Sequence, residues 1–129
     1  MNGYQTYKIG NAAGCAAFVA LVAGANPGDC NLPAGENASG FVGFSTNVEP
    51  RQGEAVAVVR GRCFAIAAGA ITHGHWVRIA DSTGAVEDCQ ALVDGTPETE
   101  INVIGKAETD AAAAGASVVV TTQEFVVRP

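Results

Sequence analysis

Leucine is nearly missing from this 129-residue chain, occurring only at Leu21, Leu32 and Leu92, so the 48% hydrophobic content comes mostly from alanine and valine. Small and β-branched side chains favour strands over helices. With 16 glycines and 5 prolines spread along the sequence, a helical bundle is excluded. Charge is scarce as well, at 16%, and lopsided: 7 Lys+Arg against 13 Asp+Glu give a formal charge of −6. That balance repels phosphate backbones and anionic lipid surfaces, so neither direct nucleic-acid binding nor a membrane partner is expected. So little charge beside so much apolar content excludes an intrinsically disordered chain. A single domain of this length buries roughly two-thirds of its unfolded surface and needs no disulfide to fold.

Long apolar runs are missing too. The longest, residues 12–25, falls short of the roughly 20 residues that span a bilayer. Lys8 ahead of it and Ala23-Gly24-Ala25 at its end resemble a secretory leader and its cleavage site, which keeps open a secreted or periplasmic β-module binding a small ligand or sugar. The four cysteines, Cys15, Cys30, Cys63 and Cys89, form no C-x-x-C pair, so no zinc ribbon or thioredoxin-type site is spelled out. They read as small buried hydrophobes, with a Cys15–Cys30 disulfide as the alternative in an oxidising compartment.

What is present is punctuation. From Gly43 onward glycines recur mostly every 8 to 11 residues with valine-rich runs between them, the pattern of short strands and tight turns in a barrel or sandwich. Strands are expected at about 40–45, 54–60, 62–68, 75–80, 85–92, 101–107, 116–122 and 123–128. Gly61 between two of them predicts a hairpin, with Arg60 and Arg62 on one strand face. Asp81-Ser82-Thr83-Gly84 predicts another hairpin. Sliding the sequence by 62 places Val42-Gly43 on Ile104-Gly105, Gly53 on Gly115, and Val56 and Val58 on Val118 and Val120. This echo predicts two related strand-loop-strand units, and it makes residues 110–115 a loop like residues 49–53. Residues 1–11 are expected to form an extended N-terminal arm outside a single domain of residues 12–129. In that domain an apolar strand or short helix precedes an irregular loop at about 24–39.

Catalytic signatures are lacking. His73-Gly74-His75 has no third ligand at a recognisable spacing, Asp81-Ser82-Thr83-Gly84 has one residue too many for an aspartic-protease loop, and no G-x-S-x-G, P-loop or G-x-G-x-x-G occurs. Lys106 lies early in a strand without the flanks of a lipoyl or biotinyl lysine. Trp76 reads as core or interface packing. The chain is therefore expected to be no enzyme and to hold no metal or cofactor.

One ordered set of motifs remains. Val42-Gly43-Phe44, Gln52-Gly53-Glu54-Ala55-Val56-Ala57-Val58, Gly61, Ala68-Gly69-Ala70-Ile71-Thr72-His73-Gly74, and Ile104-Gly105-Lys106-Ala107-Glu108-Thr109 followed by Ala113-Ala114-Gly115-Ala116-Ser117-Val118-Val119-Val120 resemble the small capsid cement (decoration) proteins of tailed bacteriophages. The resemblance covers about residues 40–122. It departs at His75, where the family carries an acidic residue, in the longer loop 24–39, and in the tail 124–129. The resemblance implies a small all-β, Gly/Ala/Val-rich barrel or sandwich assembled in the host cytoplasm and located on the outer capsid surface of the virion. It also implies clamping of the major capsid protein against internal DNA pressure, and homotrimers at three-fold and quasi-three-fold positions. The arm supplies the capsid-contact candidates, Tyr4, Gln5, Thr6, Tyr7 and Lys8. As an added strand it would bind a neighbouring sheet edge, and deleting residues 1–10 would leave the domain folded.

Overall fold

The computed structural model describes residues 3–129, with side chains from Gln5 onward; Met1, Asn2 and the side chain of Tyr4, all in the expected arm, lie outside the described residues. The fold is all-β, as the composition dictates. Among the described residues, ten strands and one short helix follow in chain order: β1 (Gly3–Ile9), β2 (Ala20–Ala23), β3 (Asp29–Asn31), β4 (Phe41–Ser45), β5 (Ala55–Arg60), β6 (Arg62–Ile66), β7 (Trp76–Ile79), β8 (Val86–Asp88), α1 (Gln90–Asp94), β9 (Ile101–Ala107) and β10 (Ser117–Val127). The first five close a barrel in the order β1-β3-β2-β4-β5, and the last five form a sheet in the order β6-β10-β9-β7-β8.

These are two copies of one topology. In the first, β1 pairs antiparallel with β5 and parallel with β3; in the second, β6 pairs antiparallel with β10, and a parallel bridge joins Ala67, just after β6, to Val86 of β8. Hydrogen bonds repeat in step. Gly53 donates to Ile9 O as Gly115 does to Ala67 O, both at 2.8 Å, and Ser45 donates to Val19 O as Ala107 does to His75 O, both at 2.9 Å. Gly43 and Gly105 sit opposite matching irregularities in β2 and β7. Close approach explains glycine at both. A Cβ on Gly43 would stand 2.5 Å from Val58 Cγ1, and one on Gly105 would stand 2.6 Å from Val120 Cγ1. The 62-residue echo is thus the part of the duplication that has no insertions. Earlier segments repeat at shorter spacing, Ala20–Ala23 matching Trp76–Ile79 at 56.

Inside the first barrel Ile9, Cys15, Val19, Leu21, Cys30, Val56 and Val58 form a closed cluster. A larger core fills the second half and crosses to the outer side of the first, joining Ala20, Phe41 and Phe44 to Ile79, Val86 and Ile104. Burial of these apolar surfaces, at about 25 cal/mol per Å², is what welds the halves. Polar straps reinforce the weld. Asn37 Nδ2 donates to Glu100 O at 2.6 Å, Asn37 Oδ1 accepts from Asn102 N at 2.8 Å, and Arg60 pairs with Glu124 while lying 5.6 Å from the Phe41 ring centre.

Five expectations are corrected. The arm is a barrel strand: β1 is in register with β5 from Gly3↔Arg60 to Lys8↔Ala55, and Ile9 is 1% exposed. Deleting residues 1–10 would therefore remove a staple of the first barrel rather than a free extension. The hairpin at Gly61 does not form, because β5 and β6 belong to different sheets, and Arg60 is drawn to the interface between halves. The strand expected at 85–92 stops at Asp88, whose Oδ1 accepts the Gln90 N–H at 3.0 Å and turns the chain into α1. The strands expected at 116–122 and 123–128 are one strand, β10, whose register shifts between Thr122 and Phe125. Within the loop 24–39, residues 29–31 form β3. The Asp81 turn forms as read, with β7 and β8 paired across it and Asp81 Oδ1 accepting the Thr83 N–H at 2.9 Å.

Candidate functional site

β1 is held on one side only for most of its length. Ile9 donates towards β5, to Glu54 O at 3.2 Å, and Lys8 donates the other way, to Gly28 O at 2.9 Å. Alternation along a strand then turns the backbone groups of Thr6 to the same side as those of Lys8. Among the described residues, the β1–β3 ladder covers only Lys8 and Ile9, so Thr6 lies beyond its end. The result is a short open edge, the type of surface that accepts an added strand. Beside it lies a groove of about 310 Å³ lined by Thr6, Tyr7, Lys8, Pro27, Gly28, Asp29 and Ala55.

The structure brings most of the sequence-derived candidates to this edge. Gln5, Thr6 and Lys8 are exposed, and Tyr7 is half-buried against the barrel core, with its hydroxyl donating to Gln5 Oε1 at 3.0 Å. Tyr4 is opposite Val59 in the β1–β5 register. Lys8 adds a positive charge, and Asp29 a negative one, to an otherwise largely apolar lining. Such a surface offers unpaired backbone groups and side chains for packing. Pro27, Gly28 and Asp29 were missed in the sequence. Their signal is the match of Gly28 to Gly84 at the 56-residue spacing, since both adopt positive φ, 86° and 83°.

The remaining polar candidates are scattered. His73 Nδ1 meets Asp110 Oδ1 at 2.8 Å and His75 Nδ1 meets Asp88 Oδ2 at 2.7 Å, so each histidine pairs with its own carboxylate. The His73 backbone N–H, also 2.8 Å from Asp110 Oδ1, holds that carboxyl below its usual range, with the ring adding to the effect. No group of three His, Cys, Asp or Glu among the described residues is placed to hold a metal ion. Lys106 lies within β9 with Nζ 4.8 Å from the Trp76 ring centre, and Trp76 packs edge-on to Phe125 at 4.8 Å. All four cysteines are buried free thiols. Burial raises the thiol pKa of Cys30 and Cys63 to about 11 and of Cys89 to about 12, so they act as small apolar side chains.

No family model and no curated protein matches the chain. Among solved structures, the head fiber gp8.5 N base of bacteriophage phi29 is similar, with a TM-score of 0.63 and 18% identity over 95% of each chain. At that identity the likeness is one of fold.

Proposed function

We propose that this chain is a structural protein of a tailed-phage head that binds the outside of the capsid, with the β1 edge as its contact surface. The likeness over 95% of both chains to the base of a phage head fibre carries this reading, because it spans both halves of the duplicated fold. The cement-protein motifs over residues 40–122 support it independently, as does the open strand edge at β1. In this role the chain clamps neighbouring major capsid subunits and has no enzymatic activity. It assembles as a homotrimer at three-fold and quasi-three-fold positions, burying above about 1,000 Å² per interface if the trimer is stable in solution. Modest affinity per copy suffices, since binding to the assembled state alone stabilises a shell in proportion to the sites filled.

The test is decoration of expanded capsids that lack the protein. Thr6→Pro removes an N–H from the open edge without touching the β1–β5 ladder, and Gln5→Ala with Lys8→Ala removes side chains while leaving the backbone intact. Both are expected to fold as judged by circular dichroism, to fill fewer capsid sites at equal concentration and to lower the temperature at which filled heads burst. Full decoration by both folded variants would overturn the β1 contact; failure of the unaltered protein to bind any capsid would overturn the role.

A further inference from the structure

The second half has an open edge of its own. β6 stands at one end of its sheet, where it pairs with β10. Gly61 O accepts the Thr122 N–H at 2.8 Å, and the Ala67 N–H donates to Ala116 O at 2.9 Å, both towards β10. Alternation between these two points turns the backbone groups of Phe64 the other way, to a side on which no strand is paired among the described residues. Since β6 is the counterpart of β1, each half offers one such edge.

What stands beside the β6 edge is different from what stands beside β1. Phe64 is 57% exposed, and the Phe18 ring packs edge-on to it at 5.8 Å. Phe18 is held in the left-handed region, at a φ of 58°, where its counterpart in the second half is Gly74. A bulky side chain there is strained, and core burial does not account for the strain, because the ring it meets is a surface ring. Counting back from the match of Ile9 to Ala67, the counterpart of Phe64 on β1 is Thr6, so the aromatic pair is no by-product of the duplication. Next to the rings runs a groove of about 280 Å³, with Phe18, Thr46, Asn47, Val59, Arg62 and Phe64 in its lining. Arg62 gives a positive charge to a lining that is otherwise neutral and mostly apolar.

We propose that the β6 edge is a second grip, which takes an extended segment of a capsid subunit as an added strand, with an apolar side chain of that segment against Phe18 and Phe64 and a carboxylate facing Arg62. The inference rests on the capsid role proposed above and adds to it a second partner subunit for each copy. Charge complementarity selects the occupant, since a groove that is apolar apart from one positive charge suits an apolar strand bearing an acidic residue. Backbone pairing supplies affinity; the rings and Arg62 supply choice. With β1 on one capsid subunit and β6 on another, a single copy bridges two neighbours through the core that its halves share, and the second attachment is made at high effective concentration.

The experiment decorates expanded capsids that lack the protein with Phe64→Ala, Phe18→Asn, Arg62→Glu and Arg62→Lys, each checked for folding by circular dichroism. Asparagine tolerates the φ that Phe18 holds, so the ring is removed and the backbone kept. The first three variants should need at least about tenfold more protein for half-decoration. Arg62→Lys, which keeps the charge, should stay closer to the parent than Arg62→Glu. Phe64→Ala combined with Thr6→Pro should decorate less than either variant alone, and a benzophenone side chain at position 64 should crosslink to a capsid subunit in bound particles. Parental decoration by folded Phe64→Ala and Phe18→Asn, or a crosslink to a second copy of this chain, would overturn the β6 grip and leave the capsid role standing. Parental decoration by Arg62→Glu would overturn the acidic occupant, and an unaltered protein that binds no capsid would overturn both the role and the grip. If Phe18→Asn does not fold, Phe64→Ala decides, since it trims a ring that is mostly exposed.

Discussion

Residues 3–60 and residues 62–127 follow one path with different side chains, and the substitutions compensate. Ile9 of the first half is matched by Ala67 in the second, while the loop position held by Cys15 is filled by Ile71, so bulk lost at one point returns at another. Leu21 is matched by Val77 and Cys30 by Val86. Backbone geometry is kept even where it is uncomfortable. Phe18 holds a φ of 58° where its counterpart is Gly74 at 83°, and its ring is anchored edge-on to Phe64 at 5.8 Å. The comparison teaches that topology and total volume are what the two halves share. Individual identities are free to differ, except where backbones touch, as at Gly43 and Gly105.

The strongest way to break this comparison is to ask whether the halves are independent. Phe44 is fully buried in the core shared between them, 5.2 Å from the Phe41 ring. Phe44→Ala is expected to cost about 3–5 kcal/mol and to leave a single urea transition seen by both tryptophan fluorescence and circular dichroism. Two separated transitions would mean that the seam couples the halves weakly.

A sharper contrast comes from equivalent glycines. Gly84→Ala combines positive φ with a backbone clash and should destabilise by more than about 2 kcal/mol; Gly28→Ala, with open space around it, should cost only about 1–2 kcal/mol from its φ. Equal losses in denaturant midpoints would show that the turn at Gly84 is not pressed against Ala20. The thiols offer a milder probe of both halves at once. Cys15 and Cys30 in the first and Cys63 and Cys89 in the second should all resist a thiol reagent at neutral pH and react together on unfolding. Rapid labelling of one pair alone would mark its half as the looser one.

The smallest effect concerns an asymmetric detail, the Asp110–His73 pair. A carboxyl whose folded pKa lies below its unfolded value contributes stability above the unfolded pKa, and that contribution is lost as pH falls through the folded value. Asp110→Asn should therefore flatten the acid limb of the stability curve slightly. His73→Ala should do so only in part, because the backbone N–H remains. An acid limb unchanged by Asp110→Asn would show that this exposed pair is inert.

Much of the fold was legible because valine runs and glycine turns are local signals. The strands from β4 to β9 and the Asp81 turn follow from them, and the echo at 62 exposes the β4–β5 and β9–β10 units, which have no insertions between them. The partner of β1 was not legible: Gly3 meets Arg60 across the whole first half, and nothing in residues 1–11 alone encodes that pairing. Nor was α1, since Gln90-Ala91-Leu92-Val93-Asp94 is too short to show a helical period, and its start depends on the Asp88 side chain. The contact candidates Gln5, Thr6 and Lys8 were named for an arm and lie on a strand edge. The groove residues Pro27 to Asp29 needed the fold to bring them alongside.

Pairing the first strand of each half with its last also orders the birth of the molecule. While the chain is being synthesised, β1 must wait for β5, so the first barrel closes only once residue 60 is free to fold back, a long-range step of the slow kind. Even then its Ala20, Phe41 and Phe44 face stays wet until the turn at Gly84 emerges, which leaves the half-made chain with an exposed apolar surface. The second half therefore acts on the first as an in-built chaperone, arriving late and covering the surface on which neighbouring nascent chains would otherwise aggregate.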